Sequence, residues 1–185
     1  QPGLRILAAI AGARSAEQSA FMSGTEFGGY RMNRSELRES IFKLLFMGDF
    51  NSKEEMPEQL NLYFENLDQE REGLSEKDQI YMERKYQHVR EHMDVIDGVL
   101  NACTTGWKTS RMSKVDLNIL RLAVYEMIYD EEIPVRVAIN EAVEIAKRFG
   151  GDESASFING ILGKVSKEKC SKEEEEKHLT EQAGE

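Results

Sequence analysis

Cysteine, histidine, positive charge and long apolar runs are all in short supply in this 185-residue chain. The two cysteines, Cys103 and Cys170, cannot build a disulfide framework. Their separation also suggests no C-x-x-C chemistry, so a reducing, cytoplasmic setting is expected. No apolar stretch approaches the ~20 residues of a membrane-spanning helix, and no membrane partner is expected. The run from Ile6 to Ala11 is too short and too weakly flanked for a secretory signal. Three histidines leave little for metal or acid–base chemistry. His88 and His92 stand at i, i+4 on a charged helical stretch and can face one metal ion. However, H-V-R-E-H lacks the glutamate placement of the H-E-x-x-H zinc signature, no third ligand is evident, and His178 lies in the tail. G-x-S-x-G, P-loop and G-x-G-x-x-G motifs are all missing. Glu141 and Glu144, at helical spacing, read as a solvated face. The expectation is therefore no catalytic residue, no metal, no cofactor and no enzymatic activity.

The shortage of positive charge bears on nucleic acid. A formal net charge of -10 is awkward for an RNA binder, so its distribution matters more than its sum. Arg31 to Gly48 carries four basic and two acidic side chains. Asp49 to Asp94 carries six and thirteen, Arg111 to Val165 seven and nine, and Ser166 to Glu185 four and seven. The first thirty residues and Val95 to Ser110 each balance. Only the stretch opening the first helix is net positive, so an RNA-binding role would call for a helper protein.

What the chain does have is helical pattern. Hydrophobic residues at 40% and charged residues at 31% fit a soluble globular protein, with one domain or two small ones sharing a core. Lys114 to Gly163 reads as three helices. Ser113 is a good N-cap with Asp116 as a capping-box-like partner, and Leu117, Leu120, Val124, Met127 and Ile128 share one face. Pro134 suits the first turn of the next helix, whose stripe is Ala138, Ala142, Ile145, Ala146 and Phe149. Gly150-Gly151 is expected to end it in the left-handed manner. Asp152 or Ser154 can cap the third helix, with Phe157, Ile158, Ile161, Leu162 and Val165 inside and Gly160 and Gly163 allowing close helix approach.

Upstream, Asn33 or Ser35 can cap a helix that buries Leu37, Ile41, Leu44, Leu45 and Met47. Pro57 to Asn66 is a second helix, and Gln69 to Lys77 a loop. Asp78 onward reads as helix with Ile80, Tyr81, Tyr86 and Val89 inside, running on through Val95, Ile96, Val99, Leu100 and Cys103 to a break at Gly106. Trp107 is expected to be a core anchor, and Asn140 to hydrogen-bond a neighbouring helix end. The sum is an all-α protein of about seven helices. Residues 1–31 read as a non-native or flexible extension, 32–93 and 94–165 as an N-terminal and a C-terminal bundle, and 166–185 as an acidic tail, disordered or a frayed helix.

The strings ILRLAVYEM, P-V-x-V-A-I-N-E-A-V-E-I-A-K-x-F-G and S-x-x-F-I-N-G-I-L, with RSELRESIFKLLF upstream, resemble the NusB family of transcription antitermination factors. The resemblance covers roughly Asn33 to Val165 and is weak between Asp49 and Glu91. It implies two small helical bundles packed together, and a bacterial adaptor that binds boxA, a short single-stranded RNA element. It also implies a heterodimer with a small-subunit ribosomal protein, NusE, acting in an RNA polymerase antitermination complex on ribosomal RNA transcripts.

Lys147 to Glu153 gathers groups that hold phosphates, stack on bases and read base edges around one helix junction. On spacing alone, the better reading of Phe149 and Phe157 is as core residues of their stripes. Carried over from the resemblance, the RNA candidates are Arg34, Arg38, Phe149, Asp152, Glu153, Phe157 and Asn159. The partner candidates are Phe46, Phe50 and Asp116, with local readings of core for Phe46 and cap for Asp116. Many relatives carry a run of arginines at the opening helix, whereas Ser35, Glu36 and Leu37 separate Arg34 from Arg38 here. Other readings are a NusB-like domain serving an rRNA cytosine methyltransferase, or a structural homodimer that binds no RNA.

Overall fold

The computed structural model describes the backbone of residues 31–182 and the side chains of residues 31–168. The expected N-terminal extension lies, but for Arg31, outside the described residues. The fold is all-α. Helix α1 (Arg34–Gly48) starts on a complete capping box. The Asn33 side chain accepts the Glu36 N–H at 2.9 Å, and the Glu36 carboxylate accepts the Asn33 N–H at 2.8 Å. Helix α2 (Met56–Glu70) opens with Pro57 in its first turn and runs four residues past the expected end.

Where one long helix was expected, α3 (Glu76–Glu91) and α4 (Met93–Cys103) part at His92. The His92 ring nitrogen Nδ1 lies 2.7 Å from the His88 carbonyl oxygen, and its ring packs 4.3 Å from that of Tyr129. The buried stripe of α3 is Met82, Lys85, Tyr86 and Val89. Ile80 is only half-buried, and Tyr81 and Val95 of α4 are exposed, whereas Lys85 turns inward.

A 3-10 turn (Thr109–Arg111) leads into α5 (Lys114–Tyr129), followed by α6 (Val135–Phe149) and α7 (Ser154–Gln182). Every residue of α5 from Leu117 to Met127 is buried. This helix is the axis of the molecule and touches α1, α3, α4, α6 and α7. Helix α2 packs on α1, and the buried apolar residues form one continuous cluster from Met32 to Val165. Helix α7 runs on to Gln182, where disorder or fraying was expected; the stretch from Lys164 to Gln182 contains no glycine or proline and is rich in Lys and Glu, which are good helix formers.

Three small residues behave differently from expectation. Gly150 has φ -87, so it does not use a left-handed turn. A Cβ there would meet the Ser154 side chain at 2.4 Å and the Ala146 carbonyl oxygen at 2.8 Å, so close approach is what demands glycine. Gly160 and Gly163 face open space, with nothing within 4 Å of a built Cβ, and do not serve close helix packing. Ser154 Oγ accepts the Gly151 N–H at 2.9 Å and so closes the α6–α7 turn. Asn140 is exposed rather than at a buried helix end.

A buried charged network ties the helices together. Glu126 of α5, 1% exposed, accepts Arg38 Nε of α1 at 2.9 Å and Lys85 Nζ of α3 at 2.8 Å. Arg38 also reaches Glu141 of α6 at 3.3 Å, and Lys85 reaches Asp130 at 3.0 Å and donates to the Tyr81 hydroxyl at 2.9 Å. Burial works against the Lys85 charge, but the opposite charge and hydrogen bond of Glu126 outweigh it and raise its pKa above the ordinary lysine value. A second set joins α1, α4 and α5: Arg121 grips Asp97 bidentately at 2.8 and 2.7 Å and reaches Asp49 at 3.4 Å.

Candidate nucleic-acid interface

The end of α6 lies against the middle of α1, and their seam carries an aromatic ring between two cations. Phe149, 36% exposed, is the last residue of α6 and packs at 5.4 Å from buried Phe42 of α1. The Lys43 ammonium lies 5.5 Å and the Arg148 guanidinium 5.4 Å from the Phe149 ring centroid. Both cations are balanced by Glu39, which Lys43 meets at 2.9 Å and Arg148 also contacts. Beside this seam a groove of about 420 Å³ runs between α1 and α2, edged by Glu36, Glu39, Lys43, Tyr63, Arg71 and Arg148. Its cations can turn toward a phosphate, but each must exchange a carboxylate for it.

The RNA candidates are divided by burial. Arg34, Asp152, Glu153 and Asn159 are exposed, Phe149 is at the surface and Phe157 is half-buried. Arg38 is buried in the Glu126 network, so its guanidinium is committed to α1–α5–α6 packing and is not free for phosphate. Sequence reasoning missed Lys43 and Glu39, which stand four residues apart on α1 and meet α6 only in three dimensions. No alignment of letters brings residues 43 and 149 together; only the helix crossing does.

The aromatic row continues along α1 toward the partner candidates. From Phe149 it passes through Phe42 to Phe46 at 6.4 Å and on to Phe50 at 5.0 Å. Phe46 is half-buried and Phe50 is 64% exposed. The start of α5 adjoins this end of α1, since Asn118 donates to Asp49 at 2.7 Å. There Ser113 Oγ accepts the Asp116 N–H at 3.1 Å, so the cap forms as expected. Asp116 Oδ1 is buried and has no hydrogen-bond partner among the described residues. Such an acceptor costs roughly 1–3 kcal/mol unless something donates to it.

The carboxylates Glu141 and Glu144 are occupied by Arg38 and, at 2.6 Å, by Lys147. Among the described residues no three His, Cys, Asp or Glu side chains gather as a metal site, and no helix is long and apolar enough to cross a membrane.

Comparison with known proteins bears on this arrangement. The NusB family matches residues 35–167. Transcription antitermination protein NusB of Lachnoclostridium phytofermentans is 47% identical over 134 residues, which are 72% of this chain and 98% of that protein. The solved structure of T. maritima NusB is similar with a TM-score of 0.65 and 34% identity, over 75% of this chain and 94% of that one. A crystal structure of antitermination factors NusB and NusE in complex with dsRNA holds a chain with a TM-score of 0.60 and 22% identity, over 72% and 96% of the two chains, a likeness of fold alone.

Proposed function

This chain belongs to the NusB family, and from that premise we propose that it is a transcription antitermination factor which binds an unpaired, boxA-like RNA element together with a small-subunit ribosomal protein, NusE. The observation that carries the reading is the row Phe149–Phe42–Phe46–Phe50, which joins a cation-flanked ring at one end to an exposed ring at the other. In this reading Phe149 and Phe157 stack on bases, Arg34 meets phosphate, and Asp152, Glu153 and Asn159 read base edges. Phe46, Phe50 and the half-buried Asp116 meet the ribosomal protein. The role is that of a cytoplasmic adaptor without catalytic activity. With a net charge of -10, the chain alone has little long-range attraction for RNA and a strong one for a basic ribosomal protein.

Substitutions at the two ends of the row separate the two interactions. Phe149→Ala should weaken RNA binding by the heterodimer about five- to 150-fold while partner affinity holds. Phe50→Ala should weaken partner association and leave the fold intact, since the ring is 64% exposed. Anisotropy titrations with labelled RNA and with labelled ribosomal protein check both. Equal effects of both substitutions on both ligands would defeat the assignment.

A further inference from the structure

The loop between α4 and the 3-10 turn holds the sole tryptophan of the chain, and it points outward. Trp107 was expected in the core, yet it is 59% exposed. An indole that large is not left in water on a loose loop here. Asn101 of α4 clasps Thr109 twice, accepting its N–H at 2.9 Å and donating to its hydroxyl at 3.2 Å. Thr104 Oγ1 donates to the Leu100 carbonyl at 2.9 Å, and the Arg111 N–H donates to the Lys108 carbonyl at 2.8 Å. Gly106 supplies the left-handed residue that the turn needs, at φ +86. These four hydrogen bonds fix the loop that carries the ring, and the ring itself packs at a steep angle on Phe157 with centroids 6.0 Å apart.

Charge says what the ring faces. From Thr104 to Val115 the sequence is TTGWKTSRMSKV, with Lys108, Arg111 and Lys114 and no acidic residue. Lys108 and Arg111 are exposed and form no ion pair among the described residues, unlike Lys43, Arg71 and Arg148 around the α1–α2 groove. A protein surface of the basic kind would be repelled here; an unpaired polynucleotide matches both the ring and the cations.

We propose that Trp107, with Phe157 behind it, is a second stacking platform for one nucleobase of single-stranded RNA, with Lys108 and Arg111 holding the adjoining phosphates. This rests on the RNA-binding reading above and extends it to a residue that reading does not use. A hydrogen-bonded loop lowers the cost of ordering the segment that presents the ring, and base–aromatic stacking tolerates any base.

Because the chain has one tryptophan, its emission reports on this site alone. The experiment titrates the heterodimer with a short unpaired oligoribonucleotide and with its duplex, following tryptophan emission and, separately, anisotropy of end-labelled RNA. The Trp107→Phe heterodimer serves as the blank for the partner's own emission. The expected result is quenching by the single strand, and a loss of affinity of about five- to 150-fold in Trp107→Ala with an unchanged melting temperature. Trp107→Phe should retain most of the affinity. Lys108→Gln with Arg111→Gln should reduce the slope of log affinity against log salt by about 1.4. If RNA binds but emission stays constant and Trp107→Ala binds like the parent, the platform is wrong while the RNA-binding reading stands. Emission that responds to the ribosomal protein and not to RNA also overturns it, in favour of a protein contact. RNA binding by neither the chain nor the heterodimer overturns both.

Discussion

At the scale of single residues, the side chain with most depending on it is Glu126. It lies 1% exposed between two buried cations, Arg38 at 2.9 Å and Lys85 at 2.8 Å. A buried pair adds little relative to an apolar replacement, but removing one member leaves uncompensated charge. Glu126→Gln keeps the shape and removes the charge, and should lower stability by about 3 kcal/mol, read as a fall in the urea midpoint. Arg34→Gln, at the exposed start of the same α1, should change it by less than about 0.5 kcal/mol. Similar midpoints for both variants would show that the network contributes nothing. The same logic explains why Arg38, proposed for RNA on sequence grounds, is a poor candidate: in one dimension an arginine at a helix start looks solvated, and its partners Glu126 and Glu141 are 88 and 103 positions away.

At the scale of elements, most helices were legible because apolar spacing and caps agree. Asn33 with Glu36, Ser113 with Asp116, and Pro57 and Pro134 near helix starts all mark boundaries in the letters themselves. What stayed hidden depends on neighbours. At the break the His92 ring packs on Tyr129 of another helix, and the inward-turned Lys85 meets Glu126. Trp107 turns outward from a loop closed by the Asn101–Thr109 clasp. In the proposed site, the residues on the α6–α7 junction could be read from sequence, whereas the Lys43 flank could not, because it comes from α1. Helix α7 also carries two glycines that nothing in the packing explains. With open space around both, Gly160→Ala and Gly163→Ala should each stabilise the protein by about 0.5–1 kcal/mol through lower backbone entropy in the unfolded chain. A lowered melting temperature in either would contradict the open-space reading.

At the scale of the whole molecule, the central helix α5 organises a single hydrophobic core that keeps Phe42, Phe64, Tyr86 and Tyr125 inside and leaves Phe149, Phe50 and Trp107 at the surface. The surplus of negative charge makes a shared grip on RNA the physically consistent design: aromatic stacking from this chain, added positive charge from a basic partner. The most direct test is an anisotropy titration of labelled boxA-like single-stranded RNA with the protein alone and with its ribosomal-protein partner, at one fixed salt concentration. The expected result is weak binding by the chain alone and binding at least tenfold tighter by the heterodimer. Equal affinity with and without the partner, or none in either case, would contradict the account.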